Sequence, residues 1–187
     1  MRYFLETLNF PAKAFNRHNR VISWSIVVIT ILVNAVFAPV LQHYFGVGHS
    51  DIEVLKIVRI SILGVTSYLA ISSSFYIICK CFGSKRSIMD HIDAWGISFL
   101  PTLICAIVVA ITEVFFFLFW NNSILGMIVN IIFFAILIWK TILYFIYLKS
   151  FAGLKGWKFW GALFICSIFI ILFALLGARL GLIIPVI

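Results

Sequence analysis

The run F-W-G-A-L-F-I-C-S-I-F-I-I-L-F-A-L-L-G-A, Phe159–Ala178, is twenty residues long and carries no charge. As a helix rising 1.5 Å per residue it covers about 30 Å, the thickness of a bilayer's hydrocarbon. Four more stretches are long and apolar enough to do the same: Val21–Leu41, Ile57–Cys79, Trp95–Trp120 and Ile124–Leu148. None alternates in the manner of a lipid-facing strand, and lipid tolerates only helices or closed barrels. The fold class expected is therefore an all-α membrane protein, a bundle of five transmembrane helices.

Composition agrees. The 187 residues are 64% hydrophobic, 17% aromatic and 11% charged, whereas a soluble domain is roughly a quarter charged. A water-soluble core could not hide so much apolar surface. The formal charge of +8 comes from 14 Lys and Arg against 6 Asp and Glu. These bases lie in short segments between apolar runs, a pattern of membrane topology and anionic headgroups rather than of nucleic-acid binding. The first run is too long for a secretory leader and follows twenty polar-rich residues, so it is expected to remain in the protein. No linker or repeat divides the chain, which reads as one domain with residues 1–20 forming an interfacial segment.

Cations fix the expected orientation. Arg2, Lys13, Arg17 and Arg20 precede the first run; Lys80, Lys85 and Arg86 follow the second; Lys149, Lys155 and Lys158 follow the fourth. The alternate ends hold only Lys56, Arg59 and Arg179. Ten against three places the N-terminus in the cytoplasm and the C-terminus outside. Trp24, Trp95, Trp120, Trp157 and Trp160 fall near run ends, where an amphipathic ring sits at headgroup level. Trp139 is followed by Lys140, which reads as a lysine snorkelling to the inner interface. Phe4, Leu5, Leu8 and Phe15, interleaved with Lys13, Arg17 and Arg20, suggest a short helix in the headgroup plane or a frayed terminus.

Small and polar residues share one face of several runs: Ser23, Thr30 and Asn34; Gly64, Ser67 and Ser74; Ser98, Thr102, Cys105 and Thr112; Gly126 and Asn130. Such residues permit close approach and interhelical hydrogen bonds, so they are expected inside the bundle or along a substrate path. Pro39 and Pro101 mark places for a kink. Glu113 is the acid deepest in a run. A carboxylate there must be protonated or paired, and Arg59 and Arg179 lie at the same expected depth. Two roles stay open for it: a structural clamp to one of those arginines, or a site for a proton, cation or polar substrate.

In K-C-F-G-S-K-R-S-I-M-D-H-I-D-A-W, Lys80–Trp95, a helix beginning near Ser87 would make Asp90 and Asp93 neighbours and turn His91 away. A solvated lead-in to the third span, rather than a metal site, is the expectation. Lys85, Arg86, Asp90, Asp93, Lys155 and Lys158 are the candidate cytoplasmic contacts. Cys79 and Cys81 form C-x-C rather than C-x-x-C, and with Cys105 and Cys166 they are expected as free thiols. No G-x-S-x-G, H-E-x-x-H or Walker sequence is present, so neither catalysis nor a cofactor is expected.

Two stretches, Cys81–Pro101 and I-W-K-T-I-L-Y-F-I-Y-L-K-S-F-A-G-L-K-G-W-K-F-W-G-A-L, Ile138–Leu163, together resemble the Yip (Ypt-interacting-protein) family. In that family a G-x-x-x-S-like loop leads into a third span bearing an early proline. A tryptophan-containing fourth helix then precedes a short basic loop and the last span. The stretch N-F-P-A-K-A-F, Asn9–Phe15, is similar to the opening of bacterial members. The resemblance implies five spans, a cytosolic N-terminus, and homo- or hetero-oligomers. Eukaryotic members bind Rab-type GTPases and organise early secretory membranes. This chain departs from them in lacking a long polar N-terminal region and a D-L-Y-G-P signature, so GTPase binding is not expected. The likeness is to the compact prokaryotic branch. An inner membrane is expected, since no organelle address is evident. Its expected role is to organise membrane or partner proteins through the basic segments. The alternative is an oligomeric transporter or channel for an ion, polar solute or lipid, using Glu113 with Asn34 and Asn130.

Overall fold

A computed structural model of the chain describes residues 10–17, 19–46 and 54–179. A short helix α1, Pro11–Arg17, leads to five helices long and apolar enough to cross a membrane. These are α2 (Arg20–Tyr44), α3 (Val54–Cys81), α4 (Ile88–Val114), α6 (Ser123–Phe151) and α7 (Trp157–Arg179). Between α4 and α6 lies α5, Phe116–Asn121. No strand occurs among the described residues. The five-helix architecture is that expected from the apolar runs.

Helix boundaries follow local chemistry. Asn19 caps α2 by accepting from the Val21 N–H at 3.0 Å. Ser87 and Asp90 form a reciprocal capping box, so the helix expected to begin near Ser87 does so, and it runs on into the span expected from Trp95. The same helix also ends early. Phe115 leaves helical geometry at φ −100° and ψ 30°, so the aromatic residues of Phe116–Asn121 form a separate turn packed on α6. Asn122 caps α6, taking the N–H groups of Ile124 and Leu125. Both membrane-depth prolines come after a change of helical pitch. Pro39 succeeds a wide π turn at Val33–Phe37, and Pro101 a tight 3-10 turn at Gly96–Phe99. A proline ring clashes with the carbonyl four residues back and removes one N–H, which a local repitching relieves.

α4 is the central helix: 61% of its most apolar window is buried, against 17–33% for the other spans. α2 crosses it closely at the 3-10 turn. A Cβ on Gly96 would lie 2.8 Å from both the Cβ and the carbonyl oxygen of Ser23. α7 packs on α3 and on the end of α6, at the turn Tyr147–Phe151 and at Phe145, which meets Phe159 and Trp160. Apolar side chains such as Ile131, Phe164 and Leu175 point outward, as they do when lipid is the solvent.

Candidate functional site

The cation-rich ends of α1, α2, α3, α6 and α7 meet at one end of the bundle. Gly83, at φ 95°, turns the chain out of α3 through hydrogen bonds from Gly83 N–H to Lys80 and from Ser84 N–H to Cys79. That turn sets Arg86 against the end of α6. Its Nε donates to the Phe151 carbonyl at 3.3 Å, its second nitrogen to Asn16 Oδ1 at 3.3 Å, and its guanidinium lies 5.1 Å from the Phe151 ring centre. Asn16 in turn donates to Ser150 Oγ at 3.3 Å. One arginine thus joins α1, the loop before α4, and the end of α6. Lys13, Lys80, Lys85, Lys149, Lys155 and Lys158 surround this junction, exposed. Lys158 Nζ reaches over Gly83, within 3.4 Å of where its Cβ would stand.

A second latch lies beside it. Asp93, only 7% exposed, accepts from Arg20 Nε at 3.1 Å and from Trp24 Nε1 at 3.2 Å. Arg20 and Trp24 are four apart, hence on one face of α2. This ion pair draws the outward-facing acid of the segment into the protein and ties α2 to α4.

Under the latches lies an aromatic floor. Trp95 stacks on Tyr144 at 5.3 Å, and Phe75, Tyr147, Phe151 and Phe15 close around it. His91, fully buried, bonds Tyr147 through Nδ1, while the Tyr68 hydroxyl donates to the Ile92 carbonyl. The expected solvated lead-in is therefore corrected for two of its three polar residues. Asp90 stays at the surface in the capping box, but His91 and Asp93 turn inward to different partners. The three do not converge. The headgroup-plane reading of the N-terminal helix changes too, since Phe15 inserts into the aromatic floor. Phe4, Leu5, Leu8 and Arg2 lie outside the described residues.

Within the bundle, Glu113 is half-buried and its Oε2 accepts from Gln42 Nε2 at 2.8 Å. The expected clamp to Arg59 or Arg179 is not formed among the described residues: Arg59 faces outward on α3 and Arg179 ends α7. A neutral amide on the neighbouring helix satisfies the carboxyl instead. Sequence reasoning misses Gln42 because it seeks a cation and ends the first span at Leu41. Lys140 does not snorkel but turns into the bundle, donating to buried Thr102 Oγ1 at 2.8 Å. Asn34 lies in the π turn, its Nδ2 donating to the Thr30 carbonyl at 2.9 Å and its buried Oδ1 without a partner among the described residues. Asn130, expected inside, is exposed on the outer surface of α6. Ser23, Thr30, Ser98 and Thr102 are buried as expected. The four cysteines are free thiols.

No curated protein and no solved structure matches the chain significantly. The family profile of the Yip1 domain matches residues 5–178, which takes in all five spans, Pro39 and Pro101, and the cations from Lys13 to Lys158. The chain belongs to the Yip1-domain family, as an integral membrane protein.

Proposed function

We propose that this protein is non-enzymatic and organises membrane or partner proteins through its cation-rich end, which faces the cytoplasm of a prokaryotic inner membrane. The supporting observation is the separation of roles among its cations. Arg20 and Arg86 are spent internally, on Asp93, Asn16 and Phe151, and hold three connections together. The surrounding lysines then project from a fixed platform toward anionic headgroups or an acidic partner surface. Proteoliposomes mixed with phosphatidylcholine–phosphatidylglycerol vesicles test it by light scattering. Clustering is expected with the native chain. It should be lost in Lys85→Gln/Lys149→Gln/Lys155→Gln/Lys158→Gln and in molar salt, where screening shortens to about 3 Å. Vesicles that stay dispersed with the native chain overturn the membrane-organising form of the proposal.

The second reading, transport through an oligomer, draws on the Gln42–Glu113 pair. It requires ion or solute flux from proteoliposomes that falls in Glu113→Gln.

A further inference from the structure

Asn130 poses a problem that the single chain leaves open. It lies about 10 Å along α6 from Ser123, within a span long and apolar enough to cross a membrane. Its side chain is exposed, and its amide has no hydrogen-bond partner among the described residues. Hydrocarbon tails offer neither donor nor acceptor.

Its surroundings form a stripe. Asn130, Phe134, Leu137 and Thr141 recur at intervals of four, three and four, one face of a helix. Phe134 is 67% and Leu137 60% exposed. Thr141 satisfies its own hydroxyl on the Leu137 carbonyl at 2.9 Å, so Asn130 alone on this stripe needs an outside group. Below it the surface is concave: a groove of about 320 Å³ runs along Leu137, Ile138, Thr141 and Phe145. α7 touches the groove's end at Phe145 through Phe159 and Trp160, and packs elsewhere on α3 and the turn Tyr147–Phe151.

We infer that this stripe is a homodimer interface, occupied by α6 of a second copy with Asn130 facing Asn130. A primary amide carries both donor and acceptor, so it is its own complement. A two-fold axis beside α6 brings the same residue of both copies together, and each amide donates to the other. With the helices crossing there, Phe134 of each copy packs toward the groove rim at Leu137 and Ile138 of the other. A partner of different sequence would need a matching amide at this depth; a second copy supplies one by symmetry. The assignment rests on α6 alone and is independent of the role of the lysine platform.

The full chain, fluorescently labelled and reconstituted in phosphatidylcholine–phosphatidylglycerol vesicles over a range of protein-to-lipid ratios, provides the test by single-molecule photobleaching. The native chain should form dimers. Asn130→Leu should weaken the dimer about three- to thirtyfold, the worth of an interhelical side-chain hydrogen bond in lipid. Asn130→Gln, which keeps donor and acceptor, should stay within about threefold of native. Asn130→Leu places a more apolar side chain in lipid, so loss of folding is not its expected effect, and a thermal melt confirms this. In a Cys81→Ser background, Phe134→Cys and Leu137→Cys should cross-link between copies while buried Ile136→Cys should not. A native chain monomeric at every ratio overturns the inference, as does a dimer indifferent to Asn130→Leu.

Discussion

Asp93 shows what burial does to a charge at the edge of the bundle. It is almost fully enclosed, yet its Arg20 partner has a side chain 62% exposed, so solvent screens part of their attraction. The structural worth of the carboxylate therefore lies as much in filling the Trp24 N–H as in the ion pair. Asp93→Ala leaves that indole N–H without its acceptor and frees Arg20, and should destabilise by about 1–3 kcal/mol. Asp93→Asn keeps an acceptor and should lose less; unfolding in detergent monitored by tryptophan fluorescence ranks the two. Glu113 obeys a related logic with a neutral partner: Glu113→Gln can keep a hydrogen bond to Gln42, whereas Glu113→Leu leaves the Gln42 amide unpaired. Each pairing depends on a residue from another helix, Arg20 or Gln42, more than seventy positions away in the chain. Nothing local to Asp93 or Glu113 announces either one.

At the scale of elements, the spans depart from ideal helices at defined places. The π turn before Pro39 and the 3-10 turn before Pro101 interrupt α2 and α4, and beside or within them Thr30, Ser98 and Thr102 are buried. The prolines are legible in the sequence as perturbations, but whether each widens or tightens its helix depends on the neighbour packed beside it. Gly96 illustrates this. Its backbone meets that of α2 at Ser23, and Gly96→Ala drives a methyl group to 2.8 Å from a main-chain oxygen. Neither backbone can step aside without repacking Trp95, so the substitution should cost about 1–3 kcal/mol by overcrowding. Thermal denaturation of the purified variant measures it. A loss well under that range would mean that α2 and α4 are less rigidly joined than the contact implies.

For the whole molecule, orientation is the property on which the proposed function turns. On the proposed orientation the lysine platform lies in the cytoplasm, and an odd number of crossings sends the C-terminus out. Reporter tags on the two ends should therefore respond oppositely: an N-terminal tag shielded from an externally added protease, a C-terminal tag cleaved by it. Equal accessibility would refute both the five-crossing count and the cytoplasmic platform.

Chain chemistry by itself determined the solvent, the number of spans and the clustering of cations at one end, because hydropathy and charge act on each segment without reference to its neighbours. The helix ends at Ser87 and Asn122 were equally local, being hydrogen bonds between residues three or fewer positions apart. Tertiary structure decided which polar group meets which: Asp93 with Arg20, Glu113 with Gln42, Lys140 with Thr102, and Asn130 with nothing within the described chain. In lipid every face of a helix can be apolar, so sequence periodicity does not distinguish the inside of the bundle from its surface. Only the packing of one helix on another makes that distinction.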